Sequence, residues 1–261
     1  MRKGQLKAVG SRGGIVWPTE EDVGERFEQT LILEVLRPLI VAFLLSRKVA
    51  AFVGRDQYIF WDPNNPRRSL APDIYVMPGV SPDVAPASWR TWEDAVVPAF
   101  AVEVVGDDVN KDYVDGPKLY NELGVDELVV FDPLVERQPG RRVQWQVHRR
   151  LGKRGLVRVF AGNTDRVESR WLKCWLRTVP TPQGLTLRLA TGTHGDDLVP
   201  TDAERAQAEA ERAQAEAERA QAEAERAQAE AGRAQAEAER ARSAETELQR
   251  LREELAALRR R

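Results

Sequence analysis

Apolar residues along the first 200 residues recur at both helical and strand spacing, which predicts a mixed α/β unit. Those from Val23 to Ile32 follow helical spacing and predict a helix that Pro38 ends or kinks. Short apolar or alternating runs then predict a series of strands and a second helix. The predicted strands are Val49–Trp61 (with a Gly inside), Asp73–Met77, Phe100–Val105, Leu128–Phe131, Val143–His148 and Leu185–Leu189, and the predicted second helix is Tyr113–Leu123, ending at Gly124.

A seven-residue repeat dominates the remainder of the chain. ERAQAEA begins at Glu204 and recurs to Glu225, and GRAQAEA follows from Gly232. Ala, Glu, Arg and Gln are strong helix formers, so the repeat predicts one long helix of about 90 Å. The stretch from Gly192 to Pro200 is polar and linker-like. We therefore predict two domains, residues 1–199 and 200–261.

The repeat helix carries two stretches with coiled-coil spacing. Alanines from Ala210 to Ala227 alternate by three and four residues, as a and d positions do. Four leucines from Leu248 to Leu258 repeat that spacing after a three-residue slip in register behind Ala241. The pattern fits a homo-oligomeric coiled coil anchored by the leucines, and equally a solvated single helix that acts as a spacer.

Composition and charge narrow the possible partners and compartments. The net charge is −2 and neither half is polybasic, so nucleic acid cannot be bound by charge alone. A single cysteine, Cys174, excludes an internal disulfide, and with only two histidines a zinc site is not expected. The most apolar stretch, Leu31–Leu45, is shorter than a membrane span. We expect a cytoplasmic protein without a membrane segment.

Two carboxylates are the candidate chemical groups. Glu103 stands among apolar residues in its predicted strand, so it either faces solvent or is held by a cation or metal ion. Asp73 follows Pro72 at the start of another strand, where it either caps a turn or joins a site. If the two strands are neighbours, the carboxylates converge on one divalent cation such as Mg²⁺. Such an ion polarises a phosphodiester and activates a water.

A nearby lysine would complete such a site. Lys111 and Lys118 both follow Glu103, the first at the start of the next predicted helix and the second inside it. An ammonium group there could orient the attacking water or balance developing negative charge. For each lysine the alternative is an ordinary surface side chain.

The order of these motifs forms a longer pattern. Pro72-Asp73 lies thirty residues before Glu103, which begins EVV, and KDY with LYNELGVDELVVFDP follows within residues 111–133. The pattern resembles the Uma-two family of the PD-(D/E)XK nuclease superfamily, over about residues 20–190. The residues that match it by spacing are Tyr120, Gly124, Val125, Glu127, Asp132 and Pro133.

The resemblance implies a restriction-endonuclease-like αβββαβ core with a mixed sheet, followed here by the long C-terminal helix. It implies hydrolysis of DNA phosphodiesters with Mg²⁺ or Mn²⁺. Asp73 and Glu103 would be the metal ligands, with the carbonyl of Val104 as a third. The family also carries a polar residue on its first helix, for which Glu28 is the first candidate and Glu25 the second.

The lysine position departs from the family pattern. Val105 stands where the superfamily has its lysine two residues after the glutamate, and Gly116 stands where the family supplies one from the helix. Lys111 and Lys118 therefore remain alternatives. These departures favour a second hypothesis, in which a catalytically inactive nuclease fold binds DNA or protein and oligomerises through its tail.

Three other acidic residues lie near these motifs. Asp107 and Asp108 replace part of the family's usual Ser-Pro, and they would either join the metal shell or repel DNA. Asp83 also follows a proline, but the Val-Ala-Pro after it does not suit a central strand, so Asp73 is preferred.

Overall fold

The computed structural model describes residues 27–84, 86–137 and 139–258, and the chain divides into two compact units, Met1–Thr201 and Asp202–Arg261. The helices are α1 (Phe27–Ser46), α2 (Thr91–Asp94), α3 (Gly116–Leu123) and α4 (Asp202–Leu258), with a π-helical segment at Lys111–Asp115 and 3₁₀ turns at Val135–Arg137 and Gly152–Arg154. The strands are β1 (Ala51–Gly54), β2 (Ile59–Phe60), β3 (Ser69–Leu70), β4 (Ile74–Pro78), β5 (Trp89–Arg90), β6 (Phe100–Val104), β7 (Glu127–Phe131), β8 (Trp145–Arg150), β9 (Leu156–Gly162), β10 (Arg166–Ser169), β11 (Cys174–Thr181), β12 (Gly184–Thr191) and β13 (Asp197–Leu198).

A mixed six-stranded sheet in the order β1-β4-β6-β7-β8-β9 forms the centre of the first unit. Strands β6 and β7 are parallel because α3 provides the crossover between them, and the other neighbours are antiparallel. Elements α1, β1, β4, β6, α3 and β7 follow one another as αβββαβ. The predicted fold class is therefore confirmed. Strands β2, β3 and β5 form a small separate sheet, and β10 to β13 form an antiparallel one.

Helix α1 supplies much of the core. Ile32, Leu36 and Ile40 are fully buried, in one cluster with residues of the central sheet and of strands β11 and β12. By length and composition the helix, from Gln29 to Ser46, is also apolar enough to cross a membrane. In this structure its buried side packs into the core of the first unit. The prediction that Pro38 ends or kinks the helix was wrong about its end, because the helix continues to Ser46. Buried residues on both sides of the proline hold that continuation in place.

The predicted strand Val49–Trp61 was also wrong in extent, since it forms two short strands, β1 and β2. Gly54 ends β1, and the Tyr75 ring occupies the space that a Cβ at Gly54 would need. Asp56 then adopts a left-handed backbone with φ of 52°, which cannot continue a strand. Its N–H donates to the carbonyl of Pro72 at 2.9 Å, so this break packs beside the start of β4.

Several elements lie where the patterns predicted none. Strand β9 lies at the edge of the central sheet with most of its side chains exposed, so it lacks the apolar alternation of a half-buried strand. The stretch from Gly192 to Pro200, predicted as a linker, contains β13.

The predicted helix Tyr113–Leu123 is π-helical in its first part and ends at Gly124, as expected, with φ of 102°.

Candidate active site

Asp73 and Glu103 lie opposite each other at the end of two neighbouring strands. The antiparallel register of β4 and β6 pairs Ile74 with Val102, so one step further along places Asp73 across from Glu103. Directly opposed residues point to the same face of a sheet, with Cβ atoms about 5 Å apart. The structure thus brings together the two carboxylates that the sequence singled out.

Asp73 is held by two donors. The backbone N–H of Val104 donates to its Oδ2 at 2.7 Å, and the side-chain amide of Gln29 donates to the same oxygen at 3.1 Å. The Gln29 amide also donates to the carbonyl of Val104 at 3.3 Å. Gln29, from the first turns of α1, therefore orients both Asp73 and the carbonyl that was expected to be the third ligand.

The sequence analysis predicted Glu28, with Glu25 as the alternative, for the polar group of the first helix, and the described side chain from that helix that reaches the site is Gln29. Glu28 lies in the first turn of α1, but its side chain is outside the described residues, and Glu25 lies outside them altogether. In the sequence, Gln29 is distinguished only as the polar neighbour of Glu28 on the helix that packs against the strands of the site.

Glu103 is oriented by the second helix. The hydroxyl of Tyr120, which is buried on α3, donates to Oε1 of Glu103. Tyr120 matched the family pattern by spacing but was not assigned a role. The contact ties the second carboxylate to α3, as Gln29 ties the first to α1.

Both carboxyl groups have raised pKa values. Burial is the main cause that raises the pKa of Asp73 to about 7, and the charges of Asp56 and Asp112 add to it. Burial also raises the pKa of Glu103 well above its usual range, with the charge of Asp73 as the second cause. Two acids that are costly to ionise side by side favour a cation between them.

The two candidate lysines differ in position. The Lys111 ammonium group lies 3.6 Å from Oδ1 of Asp112, beside the site, and its positive charge lowers the pKa of Glu103. The Lys118 ammonium group instead pairs with Asp115 at 2.9 Å, and its side chain is 65% exposed. Lys118 is therefore directed away from the carboxylates, and Lys111 is the better placed of the two.

Asp112 is an acidic neighbour that the sequence reasoning missed. It is buried, its Oδ2 accepts the N–H of Gly106 at 2.9 Å, and its charge raises the pKa of both Asp73 and Glu103. Asp108, which the sequence analysis predicted either to join the metal shell or to repel DNA, accepts the N–H of Lys111 at 3.1 Å. The π-helical turn that begins at Lys111 directs Asp112 inward. The spacing of apolar residues in the sequence does not predict a π-helical turn.

The donor set suits a hard divalent cation with few protein ligands. Within the described ranges, no group of three His, Cys, Asp or Glu side chains is arranged to hold a metal ion. Asp73, Glu103 and the carbonyl of Val104 provide only oxygen donors, which Mg²⁺ prefers while keeping several of its waters. The residues present therefore fit a Mg²⁺ or Mn²⁺ ion whose shell is completed by water and substrate.

Comparison with known proteins agrees with the motif pattern. The model of the Uma2 family, described as "Putative restriction endonuclease", matches residues 21–170. This chain belongs to the Uma2 family. The match includes both carboxylates, Gln29, Lys111 and Tyr120, so the resemblance inferred from the motifs is confirmed.

One solved structure similar to this Uma2 protein is described as a putative nuclease belonging to DUF820 from Anabaena variabilis ATCC 29413. The two share 11% sequence identity over 57% of this chain and 75% of that chain, with a TM-score of 0.42. No curated protein matches the chain.

Proposed function

We propose that the first unit is a divalent-metal-dependent endonuclease that hydrolyses DNA phosphodiester bonds. The observation that carries the proposal is the pair of opposed carboxylates, Asp73 and Glu103, with raised pKa values and separate helical anchors. Membership of the Uma2 family supports the same reaction class. Asp73, Glu103 and the Val104 carbonyl would hold Mg²⁺ or Mn²⁺.

Each residue has a separate task in this reaction. When bound, the ion neutralises charge on the phosphate and makes a bound water more acidic. Gln29 and Tyr120 fix the directions of the two carboxylates, which keeps the donor atoms in place without rearrangement. Lys111 supplies positive charge where the oxygens of the attacked phosphate gain negative charge. Water loses a proton to solvent as it adds to phosphorus, and the leaving sugar oxygen takes up a proton from solvent as its bond to phosphorus breaks.

Nicking of supercoiled plasmid by the purified full chain tests the proposal. We expect relaxed circles to accumulate with Mg²⁺ or Mn²⁺ and not after chelation, because the carboxylates alone cannot neutralise the phosphate. Asp73→Asn, purified in the same way, should lower the rate at least about 100-fold, which separates this site from a contaminating nuclease. Equal nicking by the wild type and Asp73→Asn would exclude the site.

The two lysines should respond differently to substitution. Lys111→Met should lower the nicking rate about 10- to 100-fold, because it removes a positive charge beside Glu103. Lys118→Met, a matched loss of charge on a side chain that pairs with Asp115, should stay within about twofold of the wild type. Initial rates at saturating metal provide the measurement, and a larger loss in Lys118→Met would contradict the assignment.

A second candidate is a module of the same fold that binds DNA or protein without cleaving it. Val105 favours it, because this residue is buried in the core at the superfamily's usual lysine position. The two candidates are distinguished by one comparison on the same DNA. Binding to the plasmid without metal-dependent nicking, and unchanged by Asp73→Asn, would support the module.

A further inference from the structure

Helix α4 ends in a row of leucines that the described chain leaves uncovered. Leu248, Leu251 and Leu255 are 50%, 53% and 55% exposed, and they follow one another at spacings of three and four residues. That spacing places them on one side of the helix, as a and d positions of a coiled coil. Exposure of these large apolar side chains to water is unfavourable, and a partner helix that buried them would remove that free-energy cost.

The rest of α4 differs from this segment. In the repeats, the polar side chains bond along their own helix, as in Gln207 to Glu211 at 2.9 Å and Gln214 to Glu218 at 3.1 Å. The apolar positions there are only alanines, which bury little area. Any pairing of α4 is therefore concentrated near its end, where Ala241 and Ala244 continue the leucine register backwards by one heptad.

The charges beside the leucines indicate which helix fits. In this register Arg240 and Glu247 occupy g positions, and Glu245 and Arg252 occupy e positions. Side chains at g face those at e, five residues further along, in a parallel partner. Arg240 would then face Glu245 of the partner subunit, and Glu247 would face Arg252 of the partner subunit. Both pairs have opposite charges, and each occurs twice in a symmetric dimer.

The opposite orientation fits less well. With Leu251 opposite Leu255 of the partner subunit, an antiparallel pair brings g positions together and e positions together, so that Glu254 would lie beside Glu254 of the partner subunit and Arg252 beside Arg252 of the partner subunit. Like charges at that distance weaken the pair. In the described part of the chain, no ion pair uses Arg240, Glu245 or Glu247, so these charges remain available to a second helix.

We propose that residues 240–258 form a parallel two-stranded coiled coil with a second copy of this chain. The leucines are the apolar seam, and the Arg240–Glu245 and Glu247–Arg252 pairs set its direction. This proposal is independent of the proposed nuclease activity, because it uses no residue of the first unit.

Sedimentation equilibrium of the full chain tests the dimer. Glu247→Arg should weaken association about tenfold, because it turns both Glu247–Arg252 contacts into like-charge contacts, and adding Arg252→Glu should restore it to within about threefold. Glu253→Arg makes the same change in charge at an f position, which faces away from the seam, and should have little effect. Leu251→Ala should weaken association about 100-fold.

Cysteine cross-linking tests the direction. Ala241→Cys, at an a position, should form an intermolecular disulfide on mild oxidation, because a positions lie next to each other only in a parallel, in-register pair. Glu253→Cys should not cross-link at the same rate. A dimer in which Ala241→Cys fails to cross-link would overturn the direction. A monomer at every concentration, as expected of a helix that binds only a different protein, would overturn the dimer.

Discussion

The Glu103→Gln variant should lose at least about 1,000-fold in metal-dependent nicking and still melt at a higher temperature than the metal-free wild type. The loss follows from removal of a proposed metal ligand, and a thousandfold change corresponds to about 4 kcal/mol of transition-state stabilisation. The gain in stability follows from the same substitution. A neutral side chain of equal size removes the repulsion of Asp73 and the cost of burying a second charge.

The gain should depend on pH in a defined direction. The folded state raises the pKa of both acids, so it binds more protons than the unfolded chain does. The stability that these two acids contribute to the metal-free wild type is therefore fully present below about pH 4 and is lost as the pH rises through their folded pKa values, of which that of Asp73 is about 7. The Glu103→Gln variant keeps part of this stability. We expect its melting temperature to be higher by about 3–6 °C at pH 8 and nearly equal at pH 4.

Tryptophan fluorescence measures this unfolding without a contribution from the helical tail. All seven tryptophans precede Asp202, so the signal reports the first unit alone. Glu122→Gln, at a more exposed acid on α3, is the matched control and should change the melting temperature little. Addition of Mg²⁺ should stabilise the wild type and not the Glu103→Gln variant. A variant that melts below the metal-free wild type at pH 8 would show that the two acids do not repel each other.

Sequence patterns predicted the elements that bury a regular apolar face. Three interior strands of the central sheet have apolar runs that predict them directly: the strand after Asp73, the strand with Glu103, and Leu128–Phe131. The edge strand β9 escaped prediction because most of its side chains face solvent. The course of α1 past Pro38 was missed for a different reason, since it depends on packing against distant strands.

The site was predictable as far as residue type and order allowed. Asp73 and Glu103 stand out because each is a carboxylate at or within an apolar strand. The sequence does not single out Gln29 or Asp112. Gln29 reaches the site because of how α1 packs, and Asp112 reaches it because of a π-helical turn. The choice between Lys111 and Lys118 likewise required the structure, because a helix drawn from sequence fixes spacing but not which side faces the site.

A buried ion pair next to the site is expected to dominate the stability of the loop that carries Lys111. Asp132 is fully buried and accepts hydrogen bonds from Arg142 at 3.1 Å and from the hydroxyl of Tyr113 at 2.6 Å. Arg142 in turn donates to the carbonyl of Gly106 at 3.1 Å. Because Tyr113 lies in the π-helical segment, the pair fastens both ends of that loop.

Arg142→Met should lower the free energy of unfolding by about 3–5 kcal/mol, because it leaves the carboxylate of Asp132 buried without its cation. The double variant Asp132→Asn with Arg142→Met should cost less than the sum of the two single changes, since no charge is then left unpaired. Arg90→Met breaks an ion pair with Glu93 in which both side chains are more than half exposed, and it should cost no more than about 1 kcal/mol. Urea unfolding followed by tryptophan fluorescence measures the wild type, the two single variants, the double variant and Arg90→Met. A similar cost for Arg142→Met and Arg90→Met would mean that the buried pair does not hold the loop, and Lys111 would then need another support to stay beside Glu103.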